Sequence, residues 1–217
     1  MGSSTRVWDL PVRLFHWSLS VLMLASFVTA NIGGEWMEWH KRAGFAVLGL
    51  VAFRIIWGLV GSYHARFVNF VRGPRSVAAY VKSLVAGTSK PFPGHNPLGA
   101  ISVLALLAAI AVQAITGLFA NDDVMLEGPF AARVSKQLSD VLTRIHKLNA
   151  DFLLFLIALH LLAIAYYYFA KKENLLTPMF TGVKHLVSDS VEAARPAWLA
   201  WLIGSVIGVA IFLLFKN

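Results

Sequence analysis

Five long apolar runs alternate with shorter polar segments along the chain. They cover residues 14–30, 42–60, 98–120, 142–168 and 197–215. About 20 apolar residues suffice for a helix to cross the hydrocarbon core of a bilayer. The pattern therefore predicts an all-α integral membrane protein with five transmembrane helices. The first run is also compatible with a signal peptide, but Trp8 and Arg13 favour an interface anchor on a helix that is retained.

The connection between the second and third runs is basic and partly amphipathic. Residues 62–97 contain five lysines or arginines and no acidic residue. Apolar side chains recur there at helical spacing, at Val77, Tyr80, Val81 and Leu84. This spacing predicts an interfacial helix over residues 76–85. Because basic connections favour the cytoplasm, we expect the N-terminus, this connection and the helix in it to be cytoplasmic, and the C-terminus periplasmic.

Composition supports the membrane assignment and limits the chemistry. Of the 217 residues, 58% are hydrophobic and 14% are charged, and the net charge is +8. The basic residues gather between the apolar runs, so topology explains the charge and nucleic-acid binding is not expected. The absence of cysteine excludes disulfides, iron–sulfur clusters and covalently attached c-type haem. We expect one transmembrane domain over residues 1–217.

Histidines occur at matching depths in three of the predicted helices. The fourth helix carries His146 and His160, which are fourteen residues apart. That spacing places them on one face of a helix, about 21 Å apart along its axis. Alternating topology then sets His16 level with His160, and His40 level with His146. Each pair joins two helices, as bis-imidazole haem ligation in a bundle requires. The sequence therefore predicts two b-type haems, one inner and one outer.

Three further residues are candidates for contacts with the haems. Gly44 lies one turn beyond His40 on the same face, where a missing side chain would admit a porphyrin. Arg54 falls at the depth of the inner haem, and a cation there is costly unless an anion such as a propionate meets it. Arg13 lies one turn before His16 and offers the same charge, although a cation reaching the membrane edge is an equally good interpretation.

The remaining polar residues of interest lie in the connections. The histidines outside the helices are His64, His95 and His185. We expect them to be solvated, and an alternative for the first two is inner-haem ligation or proton transfer. Acidic residues gather at the outer side, at Glu35, Glu38, Asp122, Asp123 and Glu127. They are expected to form a docking surface for a basic redox partner.

Several segments together resemble the bacterial cytochrome b561 family, which includes the b-type cytochrome subunits of nickel–iron hydrogenases. They are RVWDLPVRLFHW, WHKRAGF, FRIIWGLVGSYHARF, GHNPLG, ITGLFANDD, the helix with His146 and His160, and ENLLTPMFTGVK. They follow in order over about residues 6–185. The resemblance implies a four-helix core with two b haems, ligated at positions matching the four histidines above. The helix at 197–215 lies outside that core.

The resemblance also implies a function in the bacterial inner membrane. It implies electron exchange between the quinone pool, ubiquinone or menaquinone, and a redox partner. The leading interpretation is a conduit to a periplasmic c-type cytochrome. The alternatives are a membrane-anchor subunit of a periplasmic hydrogenase or dehydrogenase, and a superoxide:quinone oxidoreductase. For the quinone site, the outer Asp122 and Asp123 and the inner His64 and His95 are all candidates.

Overall fold

The structure, a computed structural model, describes residues 3–122, 127–186 and 195–216. Within these ranges the chain forms eight α-helices, two short 3₁₀ turns and one two-stranded sheet. The helices are α1 Leu10–Ile32, α2 Trp36–Val60, α3 Phe67–Phe70, α4 Pro74–Val85, α5 Pro97–Gly117, α6 Lys136–Phe169, α7 Leu176–Thr181 and α8 Ala197–Phe215. The 3₁₀ turns are Tyr63–Ala65 and Ala131–Arg133, and the antiparallel strands are β1 Ser3–Arg6 and β2 Val183–Leu186.

Among the described residues, five helices are long and apolar enough to span a bilayer: α1, α2, α5, α6 and α8. Many of their large apolar side chains point away from the protein, such as Leu24, Leu162 and Phe212, which are 66%, 66% and 67% exposed. In a bilayer, lipid chains cover this surface, while each helix satisfies its own backbone hydrogen bonds. The predicted all-α membrane fold is therefore confirmed.

Helix caps lie beyond the apolar runs, so several spans are longer than predicted. Asp9 caps α1 by accepting from the Val12 backbone N–H at 2.8 Å, and a proline follows in the first turn. Ser135 caps α6 through the N–H of Leu138, so this helix begins six residues before Leu142. The polar first turn of α6 lies outside the apolar run, which is why hydropathy alone does not reveal it.

The four-helix core consists of two antiparallel hairpins, α1–α2 and α5–α6, which meet where α2 packs against α5. Its central side chains come from all four helices: Met23, Val47, Val51, Ala109, Ile110 and Leu153. Across the described residues, the α6 backbone approaches α1 and α2 closely at few points. The space between the hairpins is therefore bridged by side chains. Helix α8 packs against α2 and α1, outside this core.

The connections lie at two ends of the bundle. We call one the basic end, where the start of α1, residues 61–96 and residues 170–186 meet. There Asp9 also ties α1 to α2, because its Oδ2 accepts from Trp57 Nε1 at 2.9 Å. Strand β1 pairs with β2 at the same end, with Arg6 opposite Val183. The opposite end holds residues 33–35 and the described part of 118–135.

Candidate cofactor sites

The four candidate histidines form two facing pairs across the space between the hairpins. The ring centres of His16 and His160 are 6.5 Å apart, and those of His40 and His146 are 6.1 Å apart. Metal–imidazole bonds of about 2 Å place two rings on opposite sides of one metal with their centres about 6 Å apart. Both pairs thus have a separation that fits one iron between the rings.

Two imidazoles alone do not complete the coordination of a metal ion. Within residues 3–122, 127–186 and 195–216, no three histidine, aspartate or glutamate side chains come close enough together to hold one. A metal at either pair therefore needs further ligands from a cofactor, and a porphyrin supplies four nitrogens in a plane. The donor set at both pairs fits haem b.

Hydrogen bonds orient the His40–His146 pair. The Nδ1 of His40 lies 2.9 Å from the Ser26 carbonyl oxygen, and that of His146 lies 3.0 Å from the Gln113 carbonyl oxygen. A ring N–H that donates to a carbonyl leaves Nε2 as the metal-binding atom. The Gln113 side-chain amide lies 3.1 Å from Nε2 of His146 and donates to it. This amide has to turn away for the nitrogen to bind a metal.

Two glycines shape the space at the same pair. A Cβ at Gly44 would meet no atom within 4 Å, so the space beside His40 is open, in line with the predicted role of this glycine. A Cβ at Gly117 would lie 2.9 Å from Cε1 of His146. Any larger residue at position 117 would push the His146 ring out of its present position. This role of Gly117 is not predicted from the sequence alone.

A polar network behind His146 is also missed by sequence reasoning. Asn149 donates from Nδ2 to Gln113 Oε1 at 2.7 Å and to the Ala109 carbonyl at 2.9 Å. Thr116 Oγ1 lies 3.3 Å from Nδ1 of His146. The sequence does contain one signal of this network, because Gln113 and Asn149 each place an amide side chain inside an apolar span. Polar residues at membrane depth usually have a partner.

Packing, rather than hydrogen bonding, positions His16. Its Nδ1 is buried and has no hydrogen-bond partner in the described part of the chain. The ring packs edge-on against Trp17, with centres 5.1 Å apart. Trp17 stacks on Phe180 at 4.5 Å and donates from Nε1 to the Met179 carbonyl at 3.2 Å. Helix α7 therefore covers the His16–His160 pair from the basic end.

The two candidate arginines have protein partners. Arg54 is only 4% exposed, donates from Nη1 to the Ala65 carbonyl at 3.2 Å and lies 4.9 Å above the Phe67 ring. Arg13 donates from Nη1 to the Phe180 carbonyl. Both side chains thus hold connections at the basic end in place. Their pairing with haem propionates stays a prediction.

His95 is not solvated, contrary to the expectation for a residue in a connection. Its Nδ1 is buried, and its ring packs against Trp8 at 4.7 Å and Phe70 at 4.6 Å. Burial lowers the pKa of His95 to about 3, and the charge of Arg54 adds to this shift. The expectation fails because residues 61–96 fold back onto the bundle. The side chain of His185 lies outside the described residues.

The expected acidic surface at the opposite end is partly neutralised. Glu38 forms salt bridges with Lys41 at 2.9 Å and with Arg42 at 3.1 Å, one turn along α2. Glu35 is exposed in the same connection, and Asp123 lies outside the described residues. Of the acidic residues expected at this end, Glu38 is therefore paired with cations of its own helix, whereas Glu35 is left exposed.

A membrane-spanning helical bundle with facing histidine pairs at two depths defines a class, the b-type membrane cytochromes. The comparison with known families agrees: the profile of the prokaryotic cytochrome b561 family matches residues 7–182. The chain belongs to this family, and the resemblance predicted from its motifs is confirmed. It is a multi-pass membrane b-type cytochrome that functions in electron transfer.

Two curated relatives have the same description. A probable Ni/Fe-hydrogenase B-type cytochrome subunit from Azotobacter chroococcum mcd 1 is 26% identical over 217 residues, covering 84% of this chain and 89% of the relative. A protein of the same description from Azotobacter vinelandii is 30% identical over 138 residues, covering 51% of this chain and 57% of the relative. No solved structure matches the chain.

Proposed function

We propose that the protein holds two b haems and carries electrons across the bacterial inner membrane between the quinone pool and a redox partner. The two facing histidine pairs are the observation that carries this proposal. His146 and His160 are separated by about 21 Å along α6, a large part of the roughly 30 Å hydrocarbon core. Bound haem supplies one-electron redox chemistry. Sites at two depths suit transfer across the bilayer.

The chain supplies ligands, space and charge to the proposed haems. His16 and His160 hold the inner haem, and His40 and His146 hold the outer one. Gly44 leaves open space for the outer haem. Arg54 and Arg13 supply positive charge to the inner haem. The proposed cofactor contacts are His16, His160, His40, His146, Gly44, Arg54 and Arg13.

We place the basic end in the cytoplasm. The connection 62–97 at this end carries five basic residues and no acidic one. Such connections are retained inside during membrane insertion. The N-terminus then lies in the cytoplasm and the end of α8 in the periplasm. The His40–His146 pair consequently lies near the periplasmic surface, where a soluble redox partner is available.

Two kinds of partner fit the periplasmic end. The descriptions of the relatives favour a catalytic hydrogenase or dehydrogenase subunit that stays bound to the cytochrome. The exposed Glu35 and Glu127 instead suit a basic c-type cytochrome that docks transiently. In both cases ubiquinone or menaquinone is the membrane-soluble reactant.

Salt dependence of electron transfer separates the two partners. Purified protein reduced by a soluble quinol analogue is mixed with a basic c-type cytochrome, and cytochrome reduction is followed by absorbance. For transient docking, the rate falls as ionic strength rises, because salt screens exposed charges beyond about 8 Å at physiological strength. At low salt, where docking is fastest, the Glu35→Gln variant should reduce the cytochrome more slowly than the wild type does.

If the rate of cytochrome reduction changes neither with ionic strength nor in the Glu35→Gln variant, transient docking is contradicted and a permanent complex is supported. That complex then co-purifies with the cytochrome at high salt in a fixed ratio. If no quinol analogue reduces the haems of the intact protein, the quinone part of the proposal is wrong.

A further inference from the structure

A polar cavity lies at the basic end, apart from the histidine pairs. Its volume is about 300 Å³, and it lies between α4, the segment that follows α4 and the end of α6. Four lysines and one glutamate contribute to its lining: Lys90, Lys171, Lys172, Lys184 and Glu173. The cavity therefore has an excess of positive charge and suits an anion.

One of these lysines is neutralised within the protein. Lys184 Nζ lies 2.5 Å from Glu173 Oε1, and the two side chains are only 11% and 16% exposed. This ion pair forms part of the cavity wall. In the described part of the chain, Lys90, Lys171 and Lys172 have no such carboxylate partner. These three cations are left to meet an external anion.

Hydrogen bonds between three helices fix the floor of the cavity. The hydroxyls of Tyr80 on α4 and Tyr167 on α6 lie 2.5 Å apart. Asn96 donates from Nδ2 to the Tyr167 hydroxyl at 2.9 Å and accepts from the Gly99 N–H at the start of α5. Burial raises the pKa of the Tyr80 phenol above its ordinary value. The cavity is therefore preorganised before any ligand binds.

The backbone at the cavity rim is strained. Lys172 has φ +55°, and every other described residue with positive φ is a glycine. The left-handed conformation is costly for a side chain with Cβ, and it persists where the surroundings or a function require it. The turn at Lys172 brings Lys171 and Lys172 to the rim directly after α6.

The cavity lies where a lipid headgroup would lie. Helix α6 ends at Phe169, and Tyr168 and Phe169 are 48% and 69% exposed. Aromatic side chains at the end of a span mark the level of the headgroups. The amphipathic α4, which borders the cavity, exposes Val81 and Val85. The positively charged cavity thus adjoins an exposed apolar surface. The first suits the anionic headgroup of a phospholipid and the second suits its acyl chains.

We propose that this cavity binds the phosphate of an anionic phospholipid. Lys90, Lys171 and Lys172 surround the phosphate, and the acyl chains lie along Tyr168 and Phe169. Basic pockets beside transmembrane helices recognise anionic headgroups in this way. Free phosphate offers the same group to the lysines but has no chains to cover the exposed aromatic side chains.

Calorimetric titration of the full-length, haem-loaded protein tests the proposal. The protein is delipidated in a neutral detergent and titrated with short-chain phosphatidylglycerol, with phosphatidylcholine of the same chain length and with inorganic phosphate. Phosphatidylglycerol is expected to bind saturably, and the other two are expected to bind much more weakly.

Two double variants locate the binding. Lys171→Gln with Lys172→Gln should weaken phosphatidylglycerol binding about 25-fold, since each basic residue contributes about fivefold in affinity for anionic lipid. Arg72→Gln with Arg75→Gln is the matched control, because it removes the same charge from exposed residues of the basic end that do not line the cavity. Its affinity should change less than twofold.

Lys90→Gln reports on a separate segment and should weaken binding about fivefold. If the Lys171 and Lys172 double variant loses its haem spectrum and is therefore misfolded, the Lys90→Gln result alone tests whether the cavity binds the lipid. Equal losses in the cavity variant and the control would overturn the proposal in favour of diffuse attraction. Inorganic phosphate binding as tightly as phosphatidylglycerol, or phosphatidylcholine doing so, would also overturn it.

Discussion

The His40–His146 pair and the His16–His160 pair have similar ring separations, 6.1 and 6.5 Å, but different surroundings. In the outer pair both Nδ1 atoms lie within hydrogen-bond distance of backbone carbonyls of neighbouring helices. In the inner pair the Nδ1 of His16 is buried and has no partner in the described chain. Hydrogen bonds thus fix the outer rings, whereas contacts with aromatic side chains hold His16.

The difference bears on how the two proposed haems would be held and tuned. A hydrogen bond from Nδ1 fixes the ring and makes Nε2 a stronger ligand, which favours oxidised iron. Arg54, a buried cation, lies fourteen residues beyond His40 along α2, which puts it at the depth of the inner pair. A cation favours the reduced state. The outer haem should therefore bind more tightly and have the lower reduction potential.

The largest expected effect comes from filling the space that Gly117 leaves to His146. Gly117→Val places a Cβ 2.9 Å from Cε1 of that ring, so the ring is displaced and the outer haem is lost. The haem content per chain should fall by about half, and the inner haem's spectrum should remain. Gly208→Val is the control, because a Cβ there meets nothing within 4 Å. Equal haem loss in both variants would refute a specific role for Gly117.

A smaller loss is expected at Gly44. A Cβ there meets no protein atom, so Gly44→Leu leaves the packing of the chain intact but fills the space beside His40. The outer haem should bind incompletely, whereas thermal unfolding of the haem-free variant, followed by far-UV circular dichroism, should match that of the haem-free wild type. Full occupancy of both haems in Gly44→Leu would show that the porphyrin does not lie over this glycine.

The two haems should also leave the protein at different rates. Partners that orient a metal ligand typically change affinity 10–100-fold. Transfer of haem to excess apomyoglobin should therefore be biphasic, with phases separated by about that factor. His16→Ala should abolish the fast phase and His40→Ala the slow one. A single phase in the wild type would mean that the hydrogen bonds to Ser26 and Gln113 do not matter for retention.

The smallest expected effect concerns Arg54. Arg54→Leu removes a buried cation and should lower the potential of the inner haem by on the order of 60 mV, the one-electron equivalent of about 1.4 kcal/mol. Arg54→Lys keeps the charge and should shift it far less. Potentiometric titration of both variants measures this. An unchanged potential in Arg54→Leu, with both haems present, would leave Arg54 with its contacts to Ala65 and Phe67 alone.

The spans and the histidine pairing follow from the sequence because a bilayer constrains them. Each span must cross about 30 Å of hydrocarbon, so position along a helix translates into depth. Alternating direction then sets His16 level with His160 and His40 level with His146. The ring separations of 6.5 and 6.1 Å fit that expectation, although ligation itself stays a prediction.

Contacts that depend on helix rotation or on distant segments cannot be predicted from the sequence as the spans and the histidine pairing can. The hydrogen bond of His40 to Ser26 and the approach of Gly117 to His146 require the relative rotation of two helices. The pairing of β1 with β2 joins four-residue strands from the two ends of the core sequence, which have no local signal. The burial of His95 depends on how a long connection folds back.

Haem content per chain tests the central claim most directly. Pyridine haemochrome assays against protein concentration should give about two haems in the wild type and about one in each single alanine variant of the four histidines. His16→Ala and His160→Ala should remove one spectral component, and His40→Ala and His146→Ala the other. One haem per wild-type chain, or loss of the same component in His16→Ala and His40→Ala, would contradict the two-site account.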